Sequence, residues 1–406
     1  MKHGILTIIA TAVLFLLSSC INDDTDFSDI INDGGVEDEI VPRDVQLDFT
    51  DLDEGPETIV TDVDNPDYND YWENTNWSRT VNIRYDGANV TVDGYDGSDV
   101  SVTVNGAHVV VNSERNHINY VVSGSTSDGS LKIYSLNKFR VTLDGVNITN
   151  PAGAAINSQC GKSMYLHMND GTSNMLADGD AYRDSGTEDM KGTVFSEGQI
   201  IVSGHGLLTI SSNGRHALVS DDYIRVRPGA RLLINSTSGH AVKGKDGVYI
   251  DGGVINATVS ADGAKGINSD GFVNIAGGRT TLIASGGTAV DHVLSDTTSC
   301  AGVKADSIIT VSAGALLVKC TGAGGKGINA HSDLVINAGS ITIVTTGIKG
   351  DASPKGIKCD GTMTVAGGST YCYSAHASPV SANRMVLAPG YLPTFIDCQS
   401  LFMVEY

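Results

Sequence analysis

From Trp77 onward the chain is built of short runs in which apolar and polar residues alternate, among them Thr80–Tyr85, Ala88–Val92, Val100–Val104 and His108–Asn112. A period of two is that of a strand with one buried face. Gly, Asn and Asp separate the runs, and no segment sustains the 3.6-residue apolar period of an amphipathic helix. The expected product is an all-β body.

The runs also repeat. Six segments align without gaps: His216–Asp221, His240–Lys245, Lys265–Asp270, Ala301–Asp306, Lys326–His331 and Lys355–Asp360. Their second positions fall at residues 217, 241, 266, 302, 327 and 356, spacings of 24, 25, 36, 25 and 29. An earlier copy, Thr193–Glu197, lies 24 residues before Ala217, and the longest spacing carries an insertion around Asp291–Cys300. Two further strand-like runs follow each segment, for example Val248–Ile250 and Val254–Val259, with turn pairs such as Gly252-Gly253 between them.

Three short strands cannot bury a core alone, but coils stacked about 4.8 Å apart pair every strand with its copy above and below. The predicted fold is a right-handed single-stranded parallel β-helix, its hand set by strand twist. A propeller needs about 40 residues and four strands per blade, which this period does not supply.

Alternation assigns the faces of the repeated strand. Leu218, Val242, Ile267, Val303, Ile328 and Ile357 point inward. Lys243, Asn268, Lys304, Asn329 and Lys358 then point outward and stack as a ladder, with Asp221, Asp270, Asp306 and Asp360 stacking at the next turn. This ladder is the candidate carbohydrate-binding surface, its ammonium groups suited to the carboxylates or sulfates of an extended polymer. Carboxylate columns suit Ca²⁺, which takes oxygen ligands; the candidate metal ligands are Asp178, Asp180, Asp184, Asp221, Asp222, Asp262 and Asp270. The competing structural account has Asp closing Asx-turns and Lys offsetting the Asp charge.

Charge divides the chain. The net −21 comes from 26 Lys/Arg against 47 Asp/Glu. Residues 22–73 hold 19 Asp/Glu and one basic residue, Arg43, leaving 28 acidic and 25 basic residues for the rest. A nearly neutral body (−3) offers no basic surface for nucleic acid. The acidic stretch, residues 20–75, reads as a flexible, self-repelling tether. Tyr68, Tyr71, Trp72 and Trp77 at its end are read as capping the first coil, with a sugar-stacking platform as the alternative.

Residues 1–19 are a targeting signal: Lys2 and His3 precede an apolar run, Ile5–Leu17, too short to span a bilayer. Leu17-Ser18-Ser19-Cys20 is a lipobox pattern, which makes Cys20 the lipidation site and the lipid the expected tie to a membrane. The acidic residues after Cys20 point to the outer face of a Gram-negative outer membrane. Six further cysteines show no zinc-ligand spacing. Cys320 and Cys372 fall within strand-like runs, where a thiol packs as a small apolar group.

Catalysis is not expected. Gly204-His205-Gly206 and Asp221-Asp222 look like pieces of a polygalacturonase site but stand in the wrong order, and fold alone does not decide chemistry. The sequence identifies no pair of carboxylates set to converge on one bond, as a hydrolase needs.

Leu143–Asn150, Met168–Leu176 with Asp178-Gly179, Glu188–Glu197, Ser220–Arg227 and Lys355–Gly361 resemble a β-helical carbohydrate-binding domain family, over about residues 79–390. The family's characterised type is a calcium-containing, pectic-acid-binding protein of the cell surface. The resemblance implies a non-catalytic polysaccharide binder occupying residues 76–406, acting as a monomer, with pectin-like polymer as ligand and Ca²⁺ as cofactor. The family's turns often read Asp-Asp-Gly-Ile, whereas this chain has Ser238-Gly239-His240, Gly324-Gly325-Lys326 and Ser353-Pro354-Lys355. An adhesin with a protein or host-glycan partner, and a polysaccharide lyase or hydrolase, stand as alternatives.

Overall fold

The computed structural model describes residues 41–183, 186–291, 296–397 and 400–402. Cys20 and Asp184 lie outside the described residues. The described residues contain no α-helix; two 3-10 turns, Pro66–Asp70 and Trp72–Asn74, precede the strands. Residues 42 onward make one compact unit.

That unit is a parallel β-solenoid. One register column reads Val109, Leu131, Ile156, Val194, Leu218, Val242, Ile267, Val303, Ile328, Ile357 and Val380, eleven rungs paired in parallel from coil to coil. Leu218, Val242, Ile267, Val303, Ile328 and Ile357, all expected inward, are buried in one continuous core. Two more columns close each coil, one through Leu166, Val202, Val226 and Ile250 and one through Leu176, Ile210, Ile234 and Ala257. Because every interior strand has a neighbour on both sides, only the ends need protection. Antiparallel hairpins supply it: Arg79–Asp86 with Asn89–Asp93 and Val100–Asn105 with Ala107–Ser113 at the start, and Thr394–Asp397 with Ser400–Phe402 at the finish.

Glycine is concentrated at one corner. Gly229, Gly253, Gly278, Gly314, Gly339 and Gly368 succeed one another there with φ between 71° and 89°. A Cβ at Gly253, Gly278, Gly314, Gly339 or Gly368 would meet a backbone oxygen of the coil before at 2.4–2.8 Å, so both conformation and space demand glycine.

The insertion in the repeat is an antiparallel hairpin, Thr288–Asp291 with Asp296–Ser299, standing apart from the solenoid sheet. Cys160, Cys300, Cys320, Cys359 and Cys372 are free and buried, as expected of small apolar groups.

Residues 20–40 of the expected tether lie outside the described residues; the described part of the acidic segment departs from its expectation. Residues 42–77 do not float; they lie as an extended strap along the solenoid. The strap begins on the late coils, where the Arg43 guanidinium sits 4.3 Å from the Tyr371 ring centre and Val45 is buried with Val344 and Tyr373. It then passes Arg279, paired with Asp48 at 3.3 Å, and Arg231, paired with Asp51 at 3.1 Å. Glu54 accepts the backbone N–H of Gly229 (2.8 Å) and Gly253 (2.8 and 2.9 Å) at the glycine corner.

Further along, Arg227 is held by Glu57 (2.8 Å) and Glu73 (3.0 Å), and Arg225 by Asp67 (3.1 Å) and Asp70 (3.2 Å). Self-repulsion is outweighed because the carboxylates face a row of arginines. The aromatics at its end do not cap the first coil. Trp72 stacks on Arg140 and edges His167, Tyr71 lies under Arg227, and Trp77 meets Tyr165. They clamp the strap to the outside of the wall.

Candidate functional site

The predicted outward ladder exists as a register: Lys243 pairs with Asn268, Asn268 with Lys304, Lys304 with Asn329, and Asn329 with Lys358. Its members are not equally accessible. Asn268 is only 4% exposed, whereas Lys243, Lys304, Asn329 and Lys358 are half-buried.

The Asp column runs beside the ladder and takes up part of its charge. Lys243 approaches Asp270 (3.7 Å), Lys304 binds Asp306 (2.5 Å) and Lys358 binds Asp360 (2.7 Å). His331 also contacts Asp306 at 2.7 Å. Burial works against ionisation of Asp306, but Lys304 and His331 hold it below the usual carboxylate range.

At its late-coil end the ladder opens into a groove of about 600 Å³. Lys304, Asn329, Lys358 and Ser381 form the floor, with Thr297–Ser299 of the hairpin on one side and Ala352-Ser353 on the other. Four lysines (Lys304, Lys326, Lys355, Lys358) line it against one carboxylate, Asp306. The Asn329 amide oxygen is buried with no hydrogen-bond partner among the described residues. The lysines give the groove a positive field for an anion.

A second column flanks the ladder. In the aligned repeat its residues are His216, His240, Lys265, Ala301, Lys326 and Lys355, two positions before the inward residue, so strand parity turns them toward the wall. Lys265 and Lys326 are only 5% and 6% exposed. The Lys326 ammonium donates to Gly324 O (2.7 Å) and Ser353 O (2.5 Å) and reaches Ser299 Oγ at 3.4 Å; that of Lys265 donates to Gly263 O (2.6 Å) and Thr298 Oγ1 (2.7 Å). These bonds seat the hairpin over the groove. Burial, reinforced by the charges of Lys358 and Lys355, pushes the Lys326 pKa down to about 8.

The candidate metal ligands are dispersed. Asp178 is buried and accepts the Tyr182 hydroxyl (2.6 Å) and the Asn213 N–H (2.6 Å), so it fixes the long insertion. Asp180 is exposed. Asp262 accepts the Gly287 N–H at 2.7 Å, Asp270 faces Lys243, and Asp222 receives Gln199 and the Tyr223 N–H. Asp221 alone joins a cluster: its carboxylate and those of Asp189 and Glu197 lie within 4.8 Å of one another.

Three converging carboxylates can hold a divalent cation. Lys191 already bridges two of them, Asp189 and Asp221. Burial and the two neighbouring carboxylates raise the Glu197 pKa.

Sequence reasoning missed Asp189 and Glu197 as partners of Asp221, and Lys326 and Lys355 as groove residues. Both lysines occupy the first position of the aligned repeat, and this was the available signal. Nothing local in the sequence places the hairpin over them.

A family model described as carbohydrate-binding domain-containing protein matches residues 96–294 and 297–394. A carbohydrate-binding domain-containing protein of Acetivibrio thermocellus is 31% identical over 114 residues, 27% of this chain and 40% of that protein. The chain thus spans less than half of that relative's length. Among solved structures, a polysaccharide lyase-like protein from C. thermocellum, a gadolinium derivative, aligns over 77% of this chain and 99% of its own at 19% identity, with a TM-score of 0.44.

Proposed function

As this chain belongs to the family of carbohydrate-binding domain-containing proteins, we propose that it binds acidic polysaccharide without cleaving it, along the ladder and chiefly in the groove at its late-coil end. The observation that carries this reading is the lining of the groove, where Lys304, Lys326, Lys355 and Lys358 gather, Lys304 shared with Asp306 and Lys358 with Asp360. Coil stacking sets ladder members about 4.8 Å apart, so alternate members such as Lys304 and Lys358 stand two coils apart along the solenoid axis. A polymer lying along that axis passes one anionic group after another before them.

The reading is non-catalytic in keeping with the family's description as carbohydrate-binding. Lys326, with the lowered pKa, spends its ammonium protons on Gly324, Ser353 and Ser299. The groove works through lysine, so calcium is not needed there; a cation at Asp189, Glu197 and Asp221 would brace the wall instead. Acylation at Cys20 would hold the body at the cell surface.

The test is sedimentation of the protein with polygalacturonate in EDTA. Lys304→Ala with Lys358→Ala is expected to weaken binding at least about tenfold, since charge-assisted hydrogen bonds contribute ~1.5–3 kcal/mol each. Unchanged binding in the double variant, or release of unsaturated sugar ends by the unsubstituted protein, would reject the proposal.

A further inference from the structure

The strap is bound in an uncommon way for a segment of its length. Among the described residues, none from 42 to 75 pairs its backbone with the backbone of a coil, though side chains of the wall reach it: the Arg43 N–H donates to the Tyr371 hydroxyl (3.2 Å), and Asn256 accepts from the Asp48 N–H (3.1 Å) and donates to its carbonyl (2.7 Å). Its hold comes chiefly from carboxylates on cations, joined by these side-chain bonds, by Glu54 on the Gly229 and Gly253 N–H groups and by a few apolar and aromatic contacts. The cations lie on a face formed by the second and third strands of each coil, away from the groove. Two of them are deeply desolvated, the side chains of Arg225 and Arg227 being 5% and 1% exposed.

Arg225 and Arg227 are this buried with the strap in place, and a guanidinium so covered is very unfavourable without an anion, so whatever covers this face has to bring carboxylates. It does not require that they belong to a peptide. What Arg225, Arg227, Arg231 and Arg279 read is a row of carboxylates on an extended chain, two of them as bidentate or doubly shared forks at Arg227. Guanidinium forks match any carboxylate in that way.

We propose that this arginine row is a second polyuronate-binding face, held by the strap as an internal mimic of the polymer, and that polyuronate exchanges with the strap carboxylates. Exchange leaves no arginine unpaired at its end point, which distinguishes it from simple opening. It is driven by polymer concentration, and added salt weakens strap and polymer alike. This face and the groove are separate, so either can fail without the other.

The chain reports on itself, because its only two tryptophans, Trp72 and Trp77, sit at the end of the strap. Tryptophan emission of the full chain is followed during titration with polygalacturonate in EDTA at low salt, with dextran as the neutral control. The expected result is a saturable red shift with polygalacturonate and none with dextran. The Lys304→Ala/Lys358→Ala variant should keep the shift.

Glu54→Gln/Glu57→Gln/Glu73→Gln should reach half-shift at about tenfold less polymer, as weakened charge-assisted bonds loosen the competitor. Where that variant does not melt cooperatively by circular dichroism, the unsubstituted chain decides. No shift at polymer concentrations that saturate sedimentation would overturn the proposal while leaving the groove intact. Loss of the shift in the lysine variant would also overturn it, by tracing the signal to the groove.

Discussion

His216 and His240 stack face to face, ring centres 4.4 Å apart and 8° from parallel. Each Nδ1 accepts a backbone N–H from the following coil: His240 N–H at 2.9 Å and Lys265 N–H at 3.1 Å. Both rings must therefore be neutral with the proton on Nε2. Burial and the nearby Lys243, Lys265 and Arg215 push the His216 pKa down to about 4; burial, His216 and the lysines drive that of His240 well below its ordinary value. A base whose pKa is lowered by folding binds its proton first in the unfolded chain. Stability is then complete above about pH 6.5 and falls as pH drops toward 4.

We expect the melting temperature to decline through that window, and His216→Gln, whose amide oxygen can still accept, to flatten the decline. A slope as steep in the glutamine variant would exclude the pair as its cause. The sequence showed these residues at the same repeat position as Lys265 and Lys326, but not that they replace a carbonyl at a corner. For the same reason the aspartates misled: Asp178 and Asp262 accept backbone N–H groups from residues 35 and 25 positions away, and a lone chain does not reveal such partners.

At the scale of elements, strands were legible because the pleat forces a period of two and the coil forces a repeat of the same inward positions. The strap was not. Acidic, Pro-containing and without periodicity, it has the composition of a solvated tether, and its partners lie far off in sequence: Arg227 is 170 residues from Glu57, and Arg279 is 229 from Thr50. Arg227→Ala leaves Glu57 and Glu73 facing each other on a half-covered wall, and should destabilise by about 3–5 kcal/mol in urea unfolding, the usual cost of removing one partner of a buried ion pair. Arg227→Met combined with Glu57→Gln and Glu73→Gln should recover much of that loss. Equal losses in the single and triple variants would show that packing under Tyr71 matters more than charge.

The whole molecule is a stack in which a coil touches only its neighbours, so its cooperativity rests on nearest-neighbour coupling. The strap adds a coupling of another kind, joining coils around Tyr371 to coils around Tyr165 and Arg140 within one segment. We expect the urea m-value to fall in the Glu54→Gln/Glu57→Gln/Glu73→Gln variant as the late coils open separately from the early ones. A full-length m-value in that variant would mean that coil stacking alone keeps the solenoid two-state.

The direction of the strap has a consequence in time. Synthesis begins at the N-terminus, so the strap leaves the ribosome before any surface it binds. Its far end, near Trp72, finds Arg140 and His167 early; Asp48 waits for Arg279, and Arg43 waits for Tyr371, 328 residues further on. Docking can thus advance only as fast as coils are completed, running backward along the nascent chain. A polypeptide that stops short of the last coils keeps an acidic, unpaired leading end, and proteases that cut extended chain would find it there. The strap's first residues become protected once the coils around Val344 and Tyr371 are in place.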